Sequence, residues 1–401
     1  MRKASVLRTT AVAAVAVAAL AACSNGSSNG NNNNSGLGSG NSSSSGGSNQ
    51  TYKIGFQGAL SGDNQQLGIN EINAVELAVK QANDKGDLPF KLEVVKSDDG
   101  GTPDKAPAAA SALLQDNGIV GVVGPIFSGP TKAVGKTYAD AGMPLISPSA
   151  TNPTLTSSGF STFHRVVPND SVEAPEAADW LAKKAKKVFV IDDTSEYGKG
   201  AGDGVRAELK AKGITPINQS VPASTQDYGA VAQAVVSSGA DGMFYGGYDA
   251  QAALLAKALQ AAGYKGIAMG GNGVKSSVFT QNSGSAGDGW YFSCGCLDAT
   301  VAPQAKDFTA AYKSMFNADP STYSPEAYDA TNAMIQAIKD AQGKGKVTRQ
   351  TVEDAVNNLD YKGITTTVKF QSNGEVEQQV INLYHQESGK INLVGDIKQA
   401  S

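Results

Sequence analysis

From residue 51 onward, short apolar runs alternate with longer stretches whose apolar residues recur at helical spacing. Residues 52–56, 92–96, 119–123 and 144–146 have the length and composition of strands. Between them, 69–82, 104–115 and 131–141 read as helices, with Ile72, Val75, Val79 and Ala82 on one face of the first. The run 119–123 is almost continuously apolar, as expected of a parallel strand covered on both faces. A second series follows. Helices are predicted at 172–185, 199–212, 228–236 and 250–261, the last behind Asp249 as an N-cap. Strands are predicted at 188–191, 215–220, 242–245 and 267–269. Two βαβαβ series imply an α/β chain of two doubly wound, Rossmann-like lobes with a ligand cleft between them.

The last third does not begin a third series. Helices are predicted at 304–316, 325–341 and 350–358, and strand-like runs at 366–370, 377–384 and 391–394. Asn373-Gly374 is a hairpin turn signal. These pieces are too few for a domain, so they should complete the two lobes, with the chain crossing between them more than once. The division expected is 51–168 with about 297–370 for lobe 1, and 169–296 with about 371–401 for lobe 2.

The chain before residue 51 has a different character. Arg2, Lys3 and Arg8 precede twelve small apolar residues that end at Ala22, which is short for a membrane span and fits a secretion signal. Leu20-Ala21-Ala22-Cys23 resembles the bacterial lipobox, whose cysteine takes a lipid after cleavage. Residues 1–22 are therefore expected to be a signal peptide and Cys23 the lipidation site. Residues 24–50 are nearly all Ser, Gly and Asn and cannot bury apolar surface, so 23–50 reads as a disordered tether from the outer face of the cytoplasmic membrane. A flexible leash of this length spans roughly 30 Å.

Composition narrows the chemistry. Two histidines and three cysteines in 401 residues leave little for a metal site, and no cofactor is expected. Without residues 1–22 the chain loses three cations and no anions, giving a net charge of −7. Such an acidic domain has no drive toward nucleic acid. With Cys23 assigned to lipid, Cys294 and Cys296 remain outside the cytoplasm. The intervening Gly295 lets the backbone fold tightly, so the pair is either a disulfide or two free thiols.

Ligands of parallel sheets bind beyond the carboxyl ends of the strands. Those ends are 58–62, 124–129, 147–151, 192–198, 245–249 and 270–273, and they are rich in Ser, Thr, Tyr and Gly. Ser128-Gly129-Pro130-Thr131 reads as a helix start, whose free amides suit a carboxylate; Ser128 alone would pass as an ordinary N-cap. Catalytic patterns fail. Gly135-Lys136-Thr137 lies inside a helix and lacks the first P-loop glycine, since that position is Pro130. No Gly-x-Ser-x-Gly elbow stands at a strand end. His164 sits in a strand-like run and His385 in a polar strand, both read as structural. Lys183, Lys184, Lys186 and Lys187 close a helix, where cations offset its negative pole.

Gly58-Ala59-Leu60-Ser61-Gly62, the run 146–153 (Ile-Ser-Pro-Ser-Ala-Thr-Asn-Pro), Tyr197-Gly198-Lys199-Gly200 and Tyr245-Gly246-Gly247-Tyr248 together resemble the branched-chain amino-acid-binding proteins of ABC importers. These are type I periplasmic binding proteins, similar to the leucine/isoleucine/valine-binding protein. The likeness runs in order from residue 51 to the end. It implies two lobes joined by three crossovers and closing on ligand. Ser128 and Thr151 would hold a ligand carboxylate, with Ser149 in the same loop, the Ala150 carbonyl would meet an α-ammonium, and Tyr197 and Tyr248 would close over the ligand. Leu67 stands where the family often has a pocket aromatic. Gly101 and Phe127 stand where it has a disulfide. Asn272 stands where it has an acidic partner for the ammonium. A neutral amide there favours a ligand without that ammonium, such as an amide or keto acid, unless Asp249 or Asp298 supplies the charge.

The function expected is therefore an extracytoplasmic, lipid-anchored solute-binding protein. It would capture a branched-chain amino acid or related small carboxylate or amide and pass it to ABC permease subunits. A tethered ligand-sensing domain shares the fold. An exported enzyme would need a nucleophile–base pair or metal cluster that the sequence does not offer. No heptad pattern appears, so a monomer is expected.

Overall fold

In the computed structural model, residues 50–400 are described; the signal segment, Cys23 and all but the last residue of the tether lie outside the described residues. The first series forms β1 (Thr51–Gly58), α1 (Gln65–Lys85), β2 (Lys91–Asp98), α2 (Ala106–Gln115), β3 (Ile119–Val123), α3 (Ser128–Asp140), β4 (Leu145–Ser147) and β5 (Phe163–Arg165). Its five strands are all parallel, in the order β2-β1-β3-β4-β5. The order reverses between β1 and β3, which opens the crevice where such sheets bind ligands.

The second series forms α4 (Asp170–Lys184), β6 (Val188–Asp192), α5 (Glu196–Ala211), β7 (Ile217–Ser220), α6 (Gly229–Ser238), β8 (Gly242–Gly246), α7 (Asp249–Ala261) and β9 (Ile267–Gly270). A short helix α8 (Ser277–Ser283) and strand β10 (Trp290–Cys294) continue it; neither stood out in the sequence. The run 277–283 is too short and polar for a helical period to register. Strands β3, β6 and β8 are buried at every residue, which is why they read as continuous apolar runs rather than alternating ones.

The last third builds onto both sheets. Helices α9 (Lys306–Phe316), α10 (Ser324–Gly343) and α11 (Arg349–Val356) return to the first lobe, where α10 lies along α1 and over β3. The small hairpin β11 (Tyr361–Lys362) and β12 (Thr367–Val368) follows. Then β13 (Asn382–Glu387) and β14 (Lys390–Asp396) join the second sheet, in the order β14-β13-β10-β9-β8-β6-β7, with β13 and β14 antiparallel to their neighbours. The sheet is therefore mixed where the repeat alone predicted a parallel one. The Asn373-Gly374 turn is present, with Gly374 at φ 85° and a bridge between Phe370 and Val376, but no extended strand flanks it.

The chain crosses between the sheets three times, at 166–169, 295–305 and 369–381. Cys294 and Cys296 form a disulfide at the start of the second crossing. The Cys296 carbonyl accepts from the Tyr384 hydroxyl at 2.6 Å and from Asn382 Nδ2 at 3.2 Å, which ties the crossing to β13. No helix among the described residues is long and apolar enough to cross a membrane.

Candidate functional site

The strand-end loops of the two lobes meet and close on each other. Lys132 on α3 pairs with Glu196 on α5 at 2.7 Å, and Asn152 Nδ2 donates to the Glu196 carbonyl at 2.8 Å. Gln251 Nε2 reaches Asp63 across the opposite lip at 3.4 Å. Between these contacts the rings of Phe127 and Tyr248 pack at 4.8 Å, and those of Tyr197 and Tyr248 at 5.2 Å. They enclose a cavity of about 10 Å³, room for about one water, lined by Leu67, Phe127, Ser128, Ser149, Tyr197, Tyr248, Asn272, Gly273 and Tyr323.

The first lobe supplies a neutral wall. Gly68 lets α1 press on the loop after β1, since a Cβ there would fall 1.8 Å from the Ala59 carbonyl, and this seats Leu67. Phe127 covers Gly101, whose φ of 70° and absent Cβ leave room for the ring; that contact fills the place where the resemblance implied a disulfide. Helix α3 begins at Ser128, with Phe127 as its N-cap and Pro130 one turn in, so its unpaired first amides and positive pole stand at the cavity wall. Ser128 Oγ accepts from the Asn152 amide at 3.1 Å, so it braces the neighbouring loop rather than capping its own helix. Ser149 Oγ lies 2.9 Å from Glu71 Oε1 and 2.8 Å from the Ile126 carbonyl. One hydroxyl proton cannot serve two acceptors. Burial pushes Glu71 well above the usual carboxylate range, against the hydrogen bond of Ser149.

Ala150 and Thr151 are buried beside the cavity but do not line it. The Ala150 carbonyl accepts from Arg165 Nη1 at 2.7 Å, and the same nitrogen holds the Asn152 carbonyl at 2.9 Å. Arg165 is itself held by Glu375 through Nε at 2.9 Å and Nη2 at 2.6 Å. A guanidinium thus occupies the carbonyl that the resemblance assigned to an ammonium.

The second lobe supplies a wall backed by acid. Tyr197 is placed by α5, whose N-cap Ser195 accepts from the Gly198 amide, and its hydroxyl accepts from the Gly273 amide at 3.0 Å. Asn272 follows β9. Its backbone N–H donates to Glu173 Oε1 at 3.0 Å and its Nδ2 to Glu173 Oε2 at 2.9 Å, so the amide N–H₂ is turned away from the cavity onto a carboxylate. Ser293 Oγ also donates to Glu173 Oε1, at 2.9 Å. Glu173 and Asp170 occupy the first turn of α4 and are both buried. Burial, then the charge of Asp170, pushes Glu173 up to about 8, against the hydrogen bonds of Asn272 and Ser293. Burial raises Asp170 to about 7, held back by the Thr151 and Asn272 dipoles and the Arg165 charge. Neither Asp170 oxygen nor Thr151 Oγ1 is within ordinary hydrogen-bond reach of a partner.

Asp249 and Asp298 do not reach the cavity. Asp249 is the first residue of α7, with Tyr248 as N-cap, and its carboxylate takes Ser276 Oγ at 2.6 Å and the Ala250 amide at 2.8 Å. Asp298 lies in the second crossing, bonded to Thr300. His164 is buried, with Nδ1 3.3 Å from the Leu145 carbonyl and Nε2 3.3 Å from Asn357, and His385 stacks on Tyr291.

Sequence reasoning missed Tyr323, Glu71, Asp170 and Glu173. Tyr323 lies on no strand end; it precedes α10 in a left-handed conformation, φ 66°. Such strain in a bulky residue marks a position fixed by its surroundings. The acids sit inside helices and face inward, where a sequence shows only ordinary helix polarity. No cluster of metal-binding side chains occurs among the described residues.

Residues 51–390 match the family model of the periplasmic binding proteins. The chain belongs to that family, in its branched-chain amino-acid-binding, type I group. Among curated relatives, the Leu/Ile/Val-binding protein homolog 3 of Brucella melitensis is 30% identical over 345 residues, 84% of this chain and 92% of that one. The Leu/Ile/Val-binding protein of Escherichia coli is 31% identical over 241 residues, 59% of this chain and 65% of that one. Among solved structures, the branched-chain amino acid transporter substrate-binding protein LivJ of Streptococcus pneumoniae, in complex with isoleucine, is 26% identical. It aligns with a TM-score of 0.78 over 86% of this chain and 100% of that one. Like its relatives, this periplasmic binding protein is a substrate-binding protein, not an enzyme, and acts outside the cytoplasm.

Proposed function

We propose that this protein captures a branched-chain amino acid, or a closely related small carboxylate or amide, between its lobes and delivers it to the permease of an ABC importer. The observation that carries this reading is the small closed cavity. One wall offers serines and a helix N-terminus, suited to a carboxylate, and the other offers two tyrosines and Asn272. The isoleucine held by the Streptococcus pneumoniae relative supports the same ligand class. Ser128 and Ser149 are the residues proposed to meet the ligand carboxylate, with Thr151 beside them, and Tyr197 and Tyr248 to close over it. The cavity spans both lobes, so ligand contacts made only in the closed form shift the population toward it.

The rest of the chain fits a tethered carrier. In this reading residues 1–22 are removed on export, Cys23 carries the lipid, and 24–50 let a monomeric domain move between solvent and membrane. The division into 51–168 with about 297–370, and 169–296 with about 371–401, is supported by which strands share a sheet. Uptake of labelled leucine in the host tests the role. Deleting the gene abolishes uptake at low concentration, and the intact gene restores it. Cys23→Ser releases the protein from the membrane fraction and weakens uptake. Unchanged uptake in the deletion strain refutes delivery to a permease.

A further inference from the structure

The cavity faces Asn272, yet the nearest strong charge is one residue deeper. Glu173 holds Asn272 by two hydrogen bonds, from its backbone N–H and from Nδ2. Both amide hydrogens lie on the Nδ2 side, so the atom left for the cavity is Oδ1, which accepts nothing from the described residues. An amide whose N–H₂ rests on a carboxylate presents an oxygen of increased negative character.

We infer that Glu173 is a positioning residue for ligand class: it fixes the Asn272 amide so that Oδ1 accepts from a primary ammonium, and it supplies the counter-charge through that amide. This inference rests on the amino-acid reading above and narrows it to ligands that keep their α-ammonium. It reverses the expectation drawn from the sequence, where a neutral amide at Asn272 favoured a ligand without an ammonium. The chemistry is that of a carboxylate–amide–ammonium chain, in which no bond is made or broken.

The surroundings make Glu173 responsive. Asp170 on the same turn of α4 opposes its ionisation, while Asn272 and Ser293 favour it. Tyr197 and Tyr323 face it as neutral phenols, each raised well above its ordinary value by burial first and then by the Glu173 charge. Behind Asp170 stand Arg165 and Glu375, of opposite effect. A cation arriving at Oδ1 favours the ionised carboxylate. Amino-acid binding near pH 7 therefore releases a proton, and affinity rises from pH 6 to 8.

Two measurements test this on the folded domain. First, titration calorimetry of leucine at pH 7 in buffers of different ionisation enthalpy should show different heats, the mark of proton release, whereas 4-methyl-2-oxopentanoate should show none. Second, Glu173→Gln should invert the site. Gln Oε1 can still accept from the Asn272 amide and Ser293, but its N–H₂ now faces Asn272, forcing that amide to rotate and present N–H₂ to the cavity. The ratio of leucine to keto-acid affinity should then fall about ten- to a hundredfold, the scale of a hydrogen bond to a charged group. Asn272→Asp added to Glu173→Gln should restore it by placing the charge in the cavity. A merely structural role for Glu173 lowers both affinities alike and leaves no rescue. Wild-type binding of leucine with buffer-independent heat, or an unchanged ratio in Glu173→Gln, overturns this inference alone. Wild-type binding of the keto acid but not of leucine overturns it together with the amino-acid reading.

Discussion

The two walls of the cleft come from one kind of folding unit and differ in electrostatics. The first-lobe wall is neutral at its surface: Leu67, Phe127, Ser128 and Ser149, with the amide pole of α3 among them. Of the acids behind it, burial pushes Glu71 well above its ordinary range and Asp99 up to about 6. The second-lobe wall is also neutral at its surface, but Asn272 rests on Glu173, with Asp170 on the same first turn of α4. One wall suits an anion and the other a cation, which is what an amino-acid zwitterion requires. A doubly wound lobe fixes where ligand atoms come, at strand ends. The charge they meet is set by residues one layer behind, on helices.

The largest effect is expected in the first wall. Arg165 holds the Ala150 and Asn152 carbonyls and pairs with buried Glu375. Arg165→Met strands that carboxylate, and denaturant unfolding should show a loss of about 3–5 kcal/mol. Next comes the aromatic seam. Tyr248→Ala removes the ring packed against both Phe127 and Tyr197, and affinity should fall about ten- to a hundredfold, from ~1.5–3 kcal/mol of lost burial.

A smaller effect follows pH. Asp170 at about 7, with Glu173 and Glu326 at about 8, lies above ordinary values of 3.8 and 4.5, and Asp99, Asp193 and Asp249 near 6 add to them. The folded chain binds more protons than the unfolded chain in this range. Stability is therefore full near pH 4 and is lost as pH rises toward 8, on the order of 1 kcal/mol or more. His164 and Lys275, both lowered by burial, work the other way, two groups against several. Thermal unfolding of the ligand-free domain should thus show a lower midpoint at pH 8 than at pH 6, opposite in sign to the rise in leucine affinity. The smallest effect is at the lip. Lys132→Ala breaks an exposed pair with Glu196 and should change affinity less than about fivefold, with that change vanishing at high salt.

Much of the first wall was legible because its residues are sequential: helix starts and strand ends are local features, and Ser128 and Ser149 follow from them. Tyr197, Tyr248 and Asn272 were found in the same way. Ala150 and Thr151 were placed in the right loop, but their roles depended on Arg165, which reaches them from β5 and is matched by Glu375 far along the chain. Tyr323 enters from the loop between α9 and α10, which has no periodic signal. The Glu173–Asn272 pair joins residues on different elements, and no local pattern marks it. The strands of the second sheet tell the same story: β6 and β8 announce themselves as apolar runs, while β13 and β14 are only partly buried and pair antiparallel.

The most direct test of the central claim is a thermal-shift panel on the domain from residue 51, stripped by unfolding and refolding, against leucine, isoleucine, valine, their keto acids, amides and sugars. A ligand at ~100 Kd should add about 2.7 kcal/mol of stability. The account predicts shifts with the branched-chain amino acids, weaker ones or none with their deaminated analogues, and recovery of the ligand chemically unchanged. Shifts confined to ligands without an ammonium, or to sugars, would contradict it.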